Sequence, residues 1–139
     1  MVRPIEGEIP LSPPAKPVEQ WTVALITTAG VHLKKDEVFD VEAGDSSVRY
    51  IPWDAPEEDL MISHTHYDRT DADLDINAVF PITRLREFAS EGKIAAMSKT
   101  HYGLMGYIPK TEKLVKETIP VIIKNLKKEH VDVVILSPG

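Results

Sequence analysis

The sequence predicts a single α/β domain with a mainly parallel sheet flanked by helices. Short apolar runs rich in β-branched residues recur at 22–28, 60–63, 94–97 and 131–136. Continuous rather than alternating apolar character marks strands covered on both faces, as in parallel sheets. Helical patterns separate the later runs, and strands alternating with helices argue for a layered α/β fold. A length of 139 residues, 42% hydrophobic and 27% charged, suits one compact domain.

Each element has its own justification. Residues 1–20 hold Pro4, Pro10, Pro13, Pro14 and Pro17. Proline fixes φ and removes amide donors, so an extended arm is expected there and the α/β domain over 21–139. The first strand follows Trp21, running from Thr22 to Thr28 and closed by Ala29-Gly30. Residues 34–58 are polar and turn-rich, with a possible strand at 48–51. Leu60-Met61-Ile62-Ser63 leads straight into a polar cluster. Residues 83–90 read as a helix: Thr83 caps it, Leu85, Phe88 and Ala89 share a face, and Gly92 ends it in the left-handed conformation. A third strand is expected at 94–97, then a loop holding His101, Gly103 and Gly106. The next helix begins near Thr111, with Leu114, Val115, Thr118, Ile119, Ile122, Ile123 and Leu126 at helical spacing. Pro120 inside it removes the bond to the carbonyl of Lys116, so a kink or break is expected. A fourth strand at 131–136 runs into Ser137-Pro138-Gly139, where the ligand loops of an open α/β sheet are normally built. Either the natural protein stops there or this is the first part of something longer; truncation at the C-terminus is the expectation.

Composition excludes several classes. The net charge is −6, which suits neither nucleic acid nor an anionic membrane as a partner. No apolar run is long enough for a transmembrane helix, and no secretory signal opens the chain, so the cytoplasm is the default location. There is no cysteine, hence no thiolate nucleophile and no disulfide. Residues 36–75 carry thirteen carboxylates against Arg49 and Arg69, whereas residues 93–128 carry eight lysines against Glu112 and Glu117. Two oppositely charged solvated faces account for this, or an acidic rim around a site and a basic helix that docks a partner.

The densest polar stretch is Ser63-His64-Thr65-His66-Tyr67-Asp68-Arg69-Thr70-Asp71-Ala72-Asp73-Leu74-Asp75. If the preceding strand continues through it, His64 and His66 share one face. Such a pair with nearby carboxylates can bind a divalent metal, contact a substrate or partner, or simply satisfy backbone groups. Asp71-x-Asp73-x-Asp75-x-Asn77 imitates a calcium loop, but Ile76 stands where glycine is needed and Ile82 where glutamate is needed. The 27–32 junction has one glycine and no phosphate-loop lysine, a weak nucleotide signal. His32, His64, His66 and His101 all lie just beyond apolar runs. In a parallel sheet they would converge on one cleft, making His32, His64, His66, Tyr67, Asp68, Asp71, Asp73 and His101 the candidate substrate-binding or proton-transfer residues. No metal ligand is assigned.

Val23-Ala24-Leu25-Ile26-Thr27-Thr28-Ala29-Gly30-Val31-His32, the His64-Thr65-His66-Tyr67-Asp68 stretch with its trailing aspartates, His101-Tyr102, Met105-Gly106-Tyr107-Ile108-Pro109 and the terminal 133–139 run resemble the selenoprotein B subunit family of glycine, sarcosine, betaine and D-proline reductases. The resemblance covers about residues 20–139. It implies reductive C–N bond cleavage of a small amino acid or amine in anaerobic amino-acid fermentation. It also implies a partner subunit bearing a pyruvoyl group, and a selenocysteine or cysteine nucleophile just after the strand ending at Gly139. This chain has neither residue and carries no cofactor of its own, so the 139 residues alone are expected to be inactive. A non-catalytic α/β binding subunit and a metal-dependent hydrolase built on His64, His66 and Asp71 are the alternatives. An open sheet after the fourth strand makes an oligomer the expected state.

Overall fold

The computed structural model describes residues 7, 8 and 11–139. Pro4 and Pro10 of the expected arm lie outside them. A short 3₁₀ turn at Val18–Gln20 precedes the sheet. Lys16 pairs with Asp132 at 2.8 Å, and the Trp21 indole N–H donates to the carbonyl of Lys16 at 2.7 Å. These bonds tie residue 16 to the end of the chain's last helix–strand turn.

β1 (Thr22–Thr27) is the centre of the sheet. Its residues Val23, Ala24, Leu25 and Thr27 are buried, as the continuous apolar run predicts. β2 (Val31–Leu33) leaves the sheet and pairs antiparallel with β4 (Leu60–Ile62) in a separate ribbon. β3 (Arg49–Pro52) lies antiparallel to β6 (Thr100–Gly103) at one edge. β5 (Ala96–Met97) and β6 both run parallel to β1 on one side, and β7 (Val133–Ser137) runs parallel to it on the other. The sheet is thus mixed, with its three β1 pairings parallel. The helices are α1 (Thr70–Leu74), α2 (Ile82–Ser90), α3 (Thr111–Lys113) and α4 (Ile119–Lys128). Leu25, Ile51, Phe80, Ile82, Tyr102 and Met105 are among the largest fully buried side chains. No helix among the described residues is long and apolar enough to cross a membrane.

Several local expectations change. The 60–63 run is no parallel strand but half of the β2–β4 ribbon. His101 and Tyr102, expected in a loop, lie inside β6. Thr83 does not cap α2: Pro81 precedes the helix, and the Thr83 amide donates to Asn77 Oδ1 at 3.0 Å while its hydroxyl donates to Glu57. Phe88 is exposed beneath the Lys93 ammonium rather than packed inward. Gly92 does adopt a left-handed φ of +70° just after α2. The expected disturbance at Pro120 takes the form of a π-helical turn, Leu114–Thr118, between α3 and α4. With no N–H at Pro120 to reach Lys116, the ladder widens before α4 resumes. The turn sets Thr118 and Ile122 inward and leaves Val115 and Ile123 exposed.

β5 and β6 are one strand interrupted at Ser98 and Lys99, and two side chains mend the gap. The Leu25 amide donates to His101 Nδ1 at 3.0 Å, so an imidazole replaces a missing strand carbonyl. The Glu129 carboxylate accepts from the Ser98 hydroxyl at 2.5 Å and from the amides of Lys99 and Thr100 at 2.7 and 3.3 Å. His101 is fully buried, and burial, then the nearby Arg86 charge, pushes its pKa down to about 4. Its ring is therefore neutral with the proton on Nε2. Burial alone would raise the Glu129 pKa, but the bonds from Ser98, Thr100 and Lys99 outweigh it and leave it lowered.

A histidine that binds its proton more weakly when folded favours the unfolded state as pH falls through 6.5 toward 4. Urea unfolding will show stability falling over that window, by about 3 kcal/mol if His101 acts alone. His101→Asn keeps an acceptor for Leu25 and removes that titration, so its stability will fall less over the same window, the remaining slope coming from His64, whose pKa is also lowered.

Candidate functional site

The carboxyl ends of β1, β6 and β7 meet at one edge of the sheet, the expected location of a site in an open α/β fold. Backbone bonds lash the loops there together. The Leu104 amide donates to Thr27 O at 2.8 Å, Gly30 N to Leu104 O at 2.9 Å, Ser63 N to Gly30 O at 2.9 Å and Thr28 N to Ser137 O at 3.0 Å. Two glycines permit this closeness. A Cβ on Gly103 would overlap the carbonyl oxygen of Val31, and one on Gly30, whose φ is +77°, would overlap that of Ser63. Four segments of the chain, distant in sequence, thereby share one small surface.

His64 stands at its centre, 5% exposed. Its Nδ1 accepts from the His66 amide at 3.0 Å, which leaves the neutral ring's proton on Nε2. That nitrogen lies 3.3 Å from where a Cβ on Gly106 would stand. Burial first, then the charges of His66 and Arg69, lowers the His64 pKa. The Tyr67 ring meets the His64 ring edge-on at 4.9 Å, and its hydroxyl donates to Ala29 O at 3.2 Å. Burial raises the Tyr67 pKa, so it stays a phenol. The His66 ring stacks on Tyr107 at 4.4 Å. Gly139 reaches the same place: its amide donates to Thr28 Oγ1 at 3.4 Å, and a Cβ on it would sit 3.0 Å from Tyr67 Cε1.

Around this centre the other candidates hold backbone in position. The Arg69 guanidinium donates to the carbonyls of Ile62 and His64 at 3.2 and 3.1 Å and pairs with Asp73 at 3.1 Å. Asp68 accepts from the amide and hydroxyl of Thr70, bonds that lower its pKa. Asp71 is exposed on α1. His32 is fully buried in β2 and bonds the carbonyl of Leu33 and the Ser63 hydroxyl, each at 2.8 Å, directly behind His64.

The four histidines do not share one cleft. His64 and His66 touch, with ring centroids 5.7 Å apart, and His32 connects to them through Ser63. His101 stays inside the sheet against Leu25 and Phe80, because β6 runs through it instead of ending before it. The strand before His64 stops at Ile62, so the residues from Ser63 onward form a loop and not an alternating face. Among the described residues no three His, Asp or Glu side chains gather as a metal-binding group, and Asp71 does not join His64 and His66 as the hydrolase alternative requires. Thr28, Ser63, Arg69, Gly106 and Tyr107 belong to the site but were not among the candidates. Ser63 and Arg69 stood in the dense polar stretch, and Thr28, Gly106 and Tyr107 in the segments that carry the resemblance; the Arg69–Asp73 spacing of four was a further sign to be read there.

The family model for the glycine/sarcosine/betaine reductase selenoprotein B matches residues 2–138. The chain belongs to that family. It is 43% identical over 147 residues to the D-proline reductase subunit gamma of Acetoanaerobium sticklandii, a match covering all of this chain and 60% of that protein. It is 28% identical to the glycine reductase complex component B subunit gamma of Symbiobacterium thermophilum, over 96% of this chain and 32% of the relative. The betaine reductase complex component B subunit beta of Peptoclostridium acidaminophilum is 26% identical over 96% of this chain and 31% of its own length. The relatives are thus named as subunits or components of reductase complexes, and this chain spans between 31% and 60% of their lengths. No solved structure matches the chain at a significant level.

Arg69 both depresses the His64 pKa by its charge and clamps the His64 loop. In Arg69→Ala the His64 midpoint, followed by NMR titration of its ring, will therefore move up toward the ordinary histidine value near 6.5.

Proposed function

We propose that this chain is the scaffold of a reductase-complex subunit that cleaves a C–N bond of a small amino acid or amine reductively. The observation that carries the proposal is the meeting of Gly139 with Thr28, Tyr67 and the His64 loop. A residue following Gly139 would emerge beside the Tyr67 ring, which itself packs edge-on against the neutral His64 imidazole. That environment suits a chalcogen nucleophile: one side is walled by aromatic rings, and the donors are preset rather than recruited from water. In the complete enzyme a selenocysteine or cysteine after Gly139 would supply the nucleophile, its bond to the α-carbon forming as the C–N bond breaks and the amine leaves, and a pyruvoyl group on the partner subunit would supply the electrophile for the substrate amine.

The residues of this chain have distinct tasks in that proposal. His64, kept neutral by burial, presents its Nε2 proton beside Gly106, where it donates to an anionic nucleophile or substrate carboxylate and can pass the proton to a leaving amine. Tyr67 fixes the loop by its bond to Ala29 and sets its ring edge against the residue at 139. His66 and Tyr107 offer a flat stacked wall to the substrate or to the partner subunit. Asp68, Asp73 and Arg69 hold the loop, and His32 supports it through Ser63. Asp71, exposed on α1, is available to the partner. We assign His101 to the sheet alone. Of the expected 1–20 arm, residues 11–20 act as an arm along the 21–139 domain, and the assembly works in the cytoplasm.

The genomic reading frame past codon 139 is the first test: a selenocysteine or cysteine codon shortly downstream is expected, and its absence leaves a non-catalytic binding subunit. D-proline is the first substrate to assay with the complete complex, because the 43% identical relative is named for it. His64→Gln, whose amide reaches the Nε2 position but leaves the His66 amide without its acceptor, will lower kcat/KM about a hundredfold or more, the scale of a lost acid–base group, with only a modest fall in melting temperature. Undiminished turnover in that variant would remove His64 from the chemistry.

A further inference from the structure

The two edges of the sheet differ in a way that composition makes legible. β3, at one edge, reads Arg49-Tyr50-Ile51-Pro52. A charged residue and a proline are the usual defences of an edge that faces solvent permanently. β7, at the other, reads Val133-Val134-Ile135-Leu136-Ser137 and pairs only with β1 among the described residues. It has neither a charge nor a proline. Ile135 is 41% exposed and Leu136 72%. Successive strand residues point to opposite faces, so the apolar exposure falls on both sides of the sheet. This is the sequence of an interior parallel strand in the position of an edge strand.

We infer that β7 is an interior strand of the complete subunit, and that the covering element is a further strand with its crossover, supplied by the part of the polypeptide these 139 residues do not span. The length to supply it exists in the relatives: the match leaves two fifths of the Acetoanaerobium sticklandii subunit unpaired with this chain. A parallel neighbour needs a crossover of a dozen or more residues, usually helical. Such a crossover would also cover the apolar face that Ile135 or Leu136 opens to solvent. A second copy of this chain fits less well, because a two-fold pairing of β7 with itself would be antiparallel and would bring no helix. The inference concerns covering of the sheet and does not rest on the reaction proposed above. A longer frame without selenocysteine or cysteine would end that proposal and leave this one standing.

Hydrogen–deuterium exchange on the 139-residue chain and on the longest polypeptide its frame encodes, selenocysteine codons read through, tests it. The β7 amides should exchange about tenfold more slowly or better in the longer form, while β3 amides exchange equally in both. In the longer form Leu136→Lys should restore fast β7 exchange and Tyr50→Lys should not. Equal β7 exchange in the two forms overturns the inference. So does a frame that ends at codon 139. Protection of β7 that appears in the short chain only as its concentration rises, and vanishes in Leu136→Lys, overturns it in favour of a second copy.

Discussion

Everything at the candidate site depends on the double pairing of β1. One strand carries β7 along one side and β5 and β6 along the other, all parallel to it. Parallel neighbours end at the same edge, so the loops after β1, β6 and β7 have no choice but to meet. The bonds Leu104 to Thr27 and Thr28 to Ser137 then set their spacing within a fraction of an ångström. The β2–β4 ribbon is drawn onto this edge because Gly103 and Gly30 lack the Cβ atoms that would keep it away. His64 arrives with the ribbon, and it is buried by loops that the sheet has already placed.

That hub has a weak place, and polar side chains repair it. The interruption between β5 and β6 would strand the amides of Leu25, Lys99 and Thr100. An unpaired buried amide at Leu25 is costly, which explains why a histidine sits where an apolar residue would otherwise pack, while Glu129 gathers the more exposed amides of Lys99 and Thr100. His101 and Glu129 illustrate how a titratable residue in a candidate region can serve the sheet and leave the chemistry to others.

How much of this was legible in the residues follows from where the information lies. β1 and β7 are long apolar runs, and their pattern alone announces them. β6 is not, because Thr100-His101-Tyr102-Gly103 has no apolar run; its strand character comes from pairing with β1 and β3, partners far away in sequence. The same limit applies to the site. The density of polar residues from Ser63 to Asp75 drew attention to the right loop, and its His-Thr-His-Tyr-Asp core carried the family resemblance. Thr28 and Gly106 lie within the segments that carried the resemblance, but nothing local marks them as site residues, since they matter through their distance to Gly139 and His64. Helix caps fared less well: Thr83 looks like a cap, yet Asn77 and Glu57 bind it from outside the helix.

The contact between His32 and Ser63 carries a directional consequence. The Leu33 carbonyl can only accept, so the proton of the His32 ring must sit on Nδ1, and Nε2 is left to accept from the Ser63 hydroxyl. The serine hydrogen is thereby pointed into the interior and its lone pairs outward. Polarity at the root of the His64 loop is set by a tautomer buried one layer beneath it, and any molecule that settles against Ser63 must bring the hydrogen itself.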